Sequence, residues 1–153
     1  MNDVESVERV IPAPPEAIFA LLADPSRHHE IDGSGTVRDA KDSPDRLTLG
    51  AKFGMAMHQG FGYSMENTVV EFEEGRRIAW QTRMPKPIVS KLVGGRIWRY
   101  ELEPVDGGTR VRESWDISQE SIKILVAPMR GKTRKSMEAT LARIEEVATR
   151  DAR

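Results

Sequence analysis

At 153 residues, with 23 basic and 24 acidic side chains, the chain has room for one domain, residues 1–153, with a sizeable core, and no overall field that would favour nucleic acid or an anionic surface. The absence of cysteine excludes disulfides, thiolate nucleophiles and thiolate metal sites. No apolar run is long enough to cross a bilayer, and Met1 to Glu5 has neither a basic nor a hydrophobic leader character, so a soluble, cytoplasmic protein without integral membrane association is expected.

Val4 to Ile11, with charges interleaved among β-branched residues, predicts a first strand ended by Pro12. Pro14 and Pro15 suit a first helical turn, where the amide hydrogens they lack would go unpaired, and Ile18, Phe19, Leu21 and Leu22 supply an apolar face. Asp24-Pro25 stops that helix and caps a second short one, Ser26 to Ile31. Gly33-Ser34-Gly35 predicts a turn, followed by an extended piece from Thr36 to Arg38 and a polar loop through Asp42, Pro44 and Asp45.

Lys52 to His58 predicts a strand with Phe53, Met55 and Met57 on one face. In the next, Tyr63 to Glu73, Val70 and Phe72 set the expected inward phase and carry Ser64, Glu66 and Thr68 with them. Glu74-Gly75 turns the chain into Arg77 to Thr82, with Ile78, Trp80 and Thr82 in phase. Met84 to Gly95 reads as a loop because of its prolines and paired glycine, and its Ile88, Val89, Leu92 and Val93 suit a lid. Two more strands follow, Arg96 to Glu103 with Trp98, Tyr100 and Leu102 on one face, and Gly108 to Ile117 with Val111, Glu113 and Trp115 on one face.

The chain closes on a long amphipathic helix from Ile122 to about Thr149, whose apolar stripe contains Leu125, Met129, Met137, Leu141, Ile144 and Ala148. Pro128, with Gly131 after it, predicts a kink or the true helix start there, so Ile122 to Ala127 and the 84–93 loop are expected to form a cavity mouth. The pattern as a whole predicts an α+β fold in which a curved antiparallel sheet wraps the terminal helix.

This order, together with Val7-Glu-Arg-Val-Ile-Pro-Ala-Pro-Pro-Glu-Ala-Ile-Phe-Ala-Leu-Leu-Ala-Asp-Pro25, Asp32-Gly33, Trp98-Arg-Tyr-Glu-Leu, Gly108-Thr-Arg-Val-Arg-Glu113 and Met137-x-x-Thr-Leu141, resembles the START-like, helix-grip (SRPBCC) superfamily, in particular its polyketide cyclase/dehydrase-like and lipid-transport branch. The resemblance covers essentially the whole chain. It implies a seven-stranded antiparallel sheet gripping the last helix, two short helices after strand one, and a hydrophobic ligand cavity between sheet and helix. It is specific for the fold and leaves the activity open, because one fold hosts many functions.

Trp80, Trp98, Tyr100 and Trp115 fall on adjacent late strands and one expected face, and they suit either the wall of a pocket or the packed core beneath the helix. Met55, Met57, Thr68 and Thr82 from the earlier strands, and Leu125 and Met129 from the helix, complete the expected ligand-binding set. Glu66 and Glu113 are the candidate catalytic groups, since an acid facing an apolar cavity is biased toward its neutral form and can pass a proton. The alternatives for both are a slipped phase or an arginine partner.

His28 and His29 are helix neighbours whose side chains diverge by roughly 100° and do not readily converge on one ion, so no metal site is expected; they read as solvated, with one of them facing the pocket entrance as a base as the alternative. The glycine pairs lack the following helix start of a phosphate site, no serine sits in a nucleophile elbow, and no cofactor is expected. Arg130, Lys132, Arg134 and Lys135 read as a solvated helix side, so no nucleic-acid partner is expected. The preferred function is carriage of a small hydrophobic molecule such as a lipid or polyketide, by a monomer or homodimer. A cofactor-free cyclase or dehydratase using an inward glutamate is the first alternative, and a protein- or ribosome-partner role the second.

Overall fold

The computed structural model describes residues 2–41, 43–58, 62–84 and 94–151. Strand β1 (Val4–Ile11) leads into helix α1 (Pro15–Leu22), a 3-10 turn (Pro25–Arg27) and the short helix α2 (His28–Ile31). Strands β2 (Val37–Lys41), β3 (Lys52–His58), β4 (Gly62–Glu73), β5 (Arg77–Arg83), β6 (Gly94–Val105) and β7 (Gly108–Asp116) follow. The chain ends with the short helix α3 (Lys123–Val126), a 3-10 turn (Ala127–Met129) and the long helix α4 (Arg130–Asp151). Of the loop expected as a lid, Met84 to Gly95, residues 85–93 lie outside the described residues, and Gly94 and Gly95 belong to β6 rather than to a loop.

The strands form one seven-stranded antiparallel sheet in the order β1-β7-β6-β5-β4-β3-β2. Only the β1 and β7 pairing joins distant parts of the chain; every other strand pairs with its sequence neighbour, as short turns dictate. Helix α4 lies across the sheet and buries Met137, Leu141, Ile144 and Ala148 in one core with Val7, Ile78, Leu102, Val111 and Trp115. Each valine, leucine, isoleucine or methionine among them, fully withdrawn from water, contributes about 1.5–3 kcal/mol. This is the architecture expected from the hydrophobic pattern.

Local chemistry explains the small helices. Pro15 opens α1 with Glu16 in its first turn, and the Asp24 carboxylate accepts from the Ser26 amide at 3.0 Å to cap the 3-10 turn. The Gly33 amide then donates to the Thr140 hydroxyl at 2.9 Å, joining the end of α2 to the middle of α4. A Cβ on Gly33 would stand 2.4 Å from both the Ser136 carbonyl oxygen and the Thr140 amide nitrogen, so only glycine permits this approach.

Two sequence expectations are corrected. In β4 the register shifts between Val69 and Glu71, an irregularity that places an extra residue in the strand. Met65, Asn67 and Val69 therefore face the core before the shift, and Phe72 faces it after, packed edge-on against Phe19 at 5.6 Å. Val70 is 37% exposed, and Glu66 is exposed and Thr68 only half-buried, both on the opposite side of the strand from Met65, Asn67 and Val69. The phase read from Phe72 does not extend backward across the bulge.

The second correction concerns the terminal helix. The chain breaks at Pro128 as expected, with a 3-10 turn separating α3 from α4. The break also ends the apolar stripe: Leu125 and Met129 are 51% and 41% exposed, while Val126 between them is buried.

Candidate functional site

The inner face of the sheet can be read row by row from its register. Trp80 pairs with Trp98, and Trp98 with Trp115; in the next row Ile78 pairs with Tyr100, and Tyr100 with Glu113. Trp80, Tyr100, Glu113 and Trp115 are buried, and Trp98 is half-buried against the same core. Alternation along an unbroken β7 puts Val111, Glu113 and Trp115 together on this face, as the sequence predicts.

Among the described residues Glu113 is the acid placed among these rings. Its Oε2 accepts a 2.8 Å hydrogen bond from the Tyr100 hydroxyl. Among the described residues Glu113 Oε1 has no hydrogen-bond partner, nor has the indole nitrogen of Trp115 two residues along the strand. Burial pushes the Glu113 carboxyl up to about 8, opposed by the Tyr100 hydrogen bond and reinforced by the negative charge of Asp32. Burial and the neighbouring Glu113 also carry the Tyr100 phenol well above its usual range. At neutral pH the pair is therefore mostly uncharged, a carboxylic acid beside a phenol.

The same core holds further rings and sulfurs. Trp80 lies 5.5 Å from Tyr100 between ring centroids and stacks on His28 at 5.0 Å, with Phe53 edge-on at 5.6 Å. His28, expected in solvent, is buried; its Nε2 meets the Leu22 carbonyl at 2.8 Å, and burial lowers its pKa. His29 beside it is exposed, so the two rings do diverge. Met55 is buried next to Met65 across the β3 and β4 pairing, and Met57 is half-buried beside Tyr63.

Polar groups outside the expected set join Thr82 here. The Thr82 hydroxyl donates to Asn67 Oδ1 at 2.7 Å, both side chains buried. Arg96 Nε stands 3.5 Å from Glu120 Oε2, and Glu120 Oε1 accepts from the Gly94 amide at 2.5 Å. Arg96 has the same strand parity as Trp98 and Tyr100, a signal in the sequence that its charge concealed. Asn67 was hidden by the bulge, and Glu120 lies outside the strands.

Exposure grades along the inner face. Trp115 on the sheet and Met137, Leu141 and Ile144 on the α4 face against it are no more than 1% exposed, whereas Met57, Tyr63, Arg96 and Trp98 at the other end are half-buried. Among the surface depressions that the described residues line are these two. One, of about 310 Å³, lies among Glu8, Arg77, Glu101 and Arg112; the other, of about 460 Å³, lies between Asp24 and Pro44, and neither sits between the sheet and α4. Among the described residues no cluster of histidine and carboxylate side chains has the form of a metal site, and no helix is long and apolar enough to cross a membrane.

Residues 4–149 match the family described as polyketide cyclase/dehydrase and lipid transport. Two uncharacterized proteins from Mycobacterium tuberculosis strains are 34% and 35% identical over 108 residues, a stretch that is 69% of this chain and 44% of each relative. The chain thus spans about half the length of the curated relatives it matches. A crystal structure of a Chromobacterium violaceum protein superposes with a TM-score of 0.75 at 17% identity, covering 97% of this chain and 98% of that one. One from Nitrosomonas europaea gives 0.73 at 15% identity, covering 97% and 96%. At these identities the likeness establishes the fold.

Proposed function

The chain belongs to the polyketide cyclase/dehydrase and lipid transport family, and within it we propose that this member binds a small, largely apolar molecule against the inner face of its sheet, as a carrier or binding protein. The observation that carries this reading is the neutral carboxyl of Glu113, buried among rings, one of whose oxygens, like the indole nitrogen of Trp115 two residues away, has no hydrogen-bond partner among the described residues. Buried polar atoms are normally satisfied, so this donor and this donor-or-acceptor oxygen await a partner with a polar group of its own. Trp80, Trp98, Met55, Met57 and Thr82 supply the apolar and aromatic walls, and a ligand enters from the half-buried end near Trp98 and Met57. The ligand that fits is apolar over most of its surface with an oxygen function at its inner end. Native mass spectrometry of the freshly purified protein is expected to show a retained small molecule, and Trp98→Ala to lose it; protein that is ligand-free and binds no apolar probe refutes the reading.

A second reading has one specific observation in its favour. A carboxyl titrating near 8 can give up and regain a proton at neutral pH, as a cofactor-free dehydration or aldol cyclisation requires. Under it, Glu113→Gln abolishes turnover and leaves ligand affinity within about threefold; under carriage alone no turnover exists to lose. Glu66, exposed on the other side of the sheet, takes no part in either reading.

A further inference from the structure

The segment that departs from the expected helix carries a surface of its own. Six large apolar residues stand out exposed among the described residues, and three of them, Ile124 at 78%, Leu125 at 51% and Met129 at 41%, fall within six positions of each other. Val126 is buried to 2%, so it anchors the short helix α3 while Ile124 and Leu125 before it and Met129 after it remain outside. The surrounding sequence is basic: Ser121 to Met137 contains Lys123, Arg130, Lys132, Arg134 and Lys135 and no acidic residue. Three of these cations are engaged, Lys123 by Asp3 at 3.0 Å, and Arg130 and Arg134 by Glu5 at 2.9 and 2.7 Å. Lys132 and Lys135 are exposed and have no ion pair among the described residues.

From this juxtaposition we infer that α3 and the turn after it form a docking surface for an anionic lipid bilayer. Three aliphatic side chains reach the boundary between head groups and acyl chains, while the lysines at the start of α4 meet lipid phosphates. The combination of exposed apolar side chains with flanking cations is what interfacial binding requires. A second copy of the chain fits the patch less well. In a two-fold contact the same basic surface would face itself, and three side chains fall far short of the roughly 800 Å² per partner that a stable protein interface buries. The overall charge of −1 does not oppose docking, because screening limits the effective field to about 10 Å at moderate salt. The inference is independent of what the inner face binds.

The test is co-sedimentation of the full chain with vesicles of phosphatidylcholine alone and of phosphatidylcholine mixed with phosphatidylglycerol. Binding is expected to the mixed vesicles, at least about tenfold stronger than to the neutral ones, and to weaken as salt rises from about 0.1 M to about 1 M, where the screening distance falls to ~3 Å. The double substitution Ile124→Asp and Leu125→Asp is expected to lower partitioning by at least about tenfold. Lys132→Glu with Lys135→Glu removes the preference for the anionic lipid. All four positions are exposed, so an unchanged thermal melt verifies the fold of each variant, and Met129→Asp is the substitute if one fails that check. Equal sedimentation of wild type and the Ile124/Leu125 variant, no sedimentation with anionic vesicles, or a dimer that the same variant dissociates would overturn the inference.

Discussion

A carboxyl withdrawn from water with no cation beside it is stable only while it keeps its proton, and among the described residues Glu113 is held in that condition by its place on β7. Its pKa rises from an ordinary 4.5 to about 8 on folding, so the native state binds this proton more tightly than the unfolded chain does. The associated stability is fully present below about pH 4.5 and is lost as pH rises through about 8, with a slope approaching about 1.4 kcal/mol per pH unit inside that window. Glu113→Gln is neutral at every pH and should flatten this part of the profile, leaving the variant more stable than wild type above about pH 8 in urea unfolding. Identical slopes in the two proteins would show that Glu113 is ionised throughout. That Glu113 faces inward was legible because Val111 and Trp115 share its parity on an unbulged strand. Glu66 was misread for the complementary reason, a register shift between its strand position and the residue that set the phase. His28 was misread because a helix of four residues offers no periodicity from which to assign a face.

At the scale of elements, turns and prolines made the boundaries readable: β3 runs from Lys52 to His58 as the alternation indicates, and the break at Pro128 is where its missing amide puts it. The consequences of irregularity were not readable. A residue pattern records which face a regular element buries, and neither the β4 bulge nor the 3-10 turn at Ala127–Met129 preserves the phase on both its sides. The Asp32-Gly33 pair marks a different kind of constraint, one between elements. Since a Cβ at Gly33 would meet backbone atoms of α4 at 2.4 Å, the helix has to move for any larger residue to fit. Gly33→Ala is accordingly expected to destabilise by about 2–3 kcal/mol, and chemical denaturation of the variant checks it. Gly35→Ala is a useful control, because nothing lies within 4 Å of its added Cβ, although its positive φ of 75° makes a smaller loss of about 1 kcal/mol the expected result.

For the whole molecule, an open seven-stranded sheet leaves two edges, and an unguarded edge invites pairing with another copy. Both are blunted here by different means. Strand β2 has five residues and an irregular register between Val37 and Ala40, too short and uneven to template a partner strand. Strand β1 is longer and regular, but α4 crosses beside it and places two guanidinium groups on its backbone. Arg130 donates to the carbonyls of Val4 at 3.4 Å and of Asn2, and Arg134 to that of Ser6 at 3.2 Å. Both arginines are held in place by Glu5, whose carboxylate they keep below its usual range, Arg134 contributing more than Arg130. Two of the carbonyls that an incoming strand would use, those of Val4 and Ser6, are thus occupied. Sedimentation velocity should show a single species at the 17.2 kDa of the chain. The double variant Arg130→Gln and Arg134→Gln frees the β1 edge and should self-associate in a concentration-dependent way, with added strand signal in circular dichroism. A wild-type protein that sediments as a dimer, with the variant unchanged, would mean that the edges are irrelevant to assembly and that copies meet through some other face.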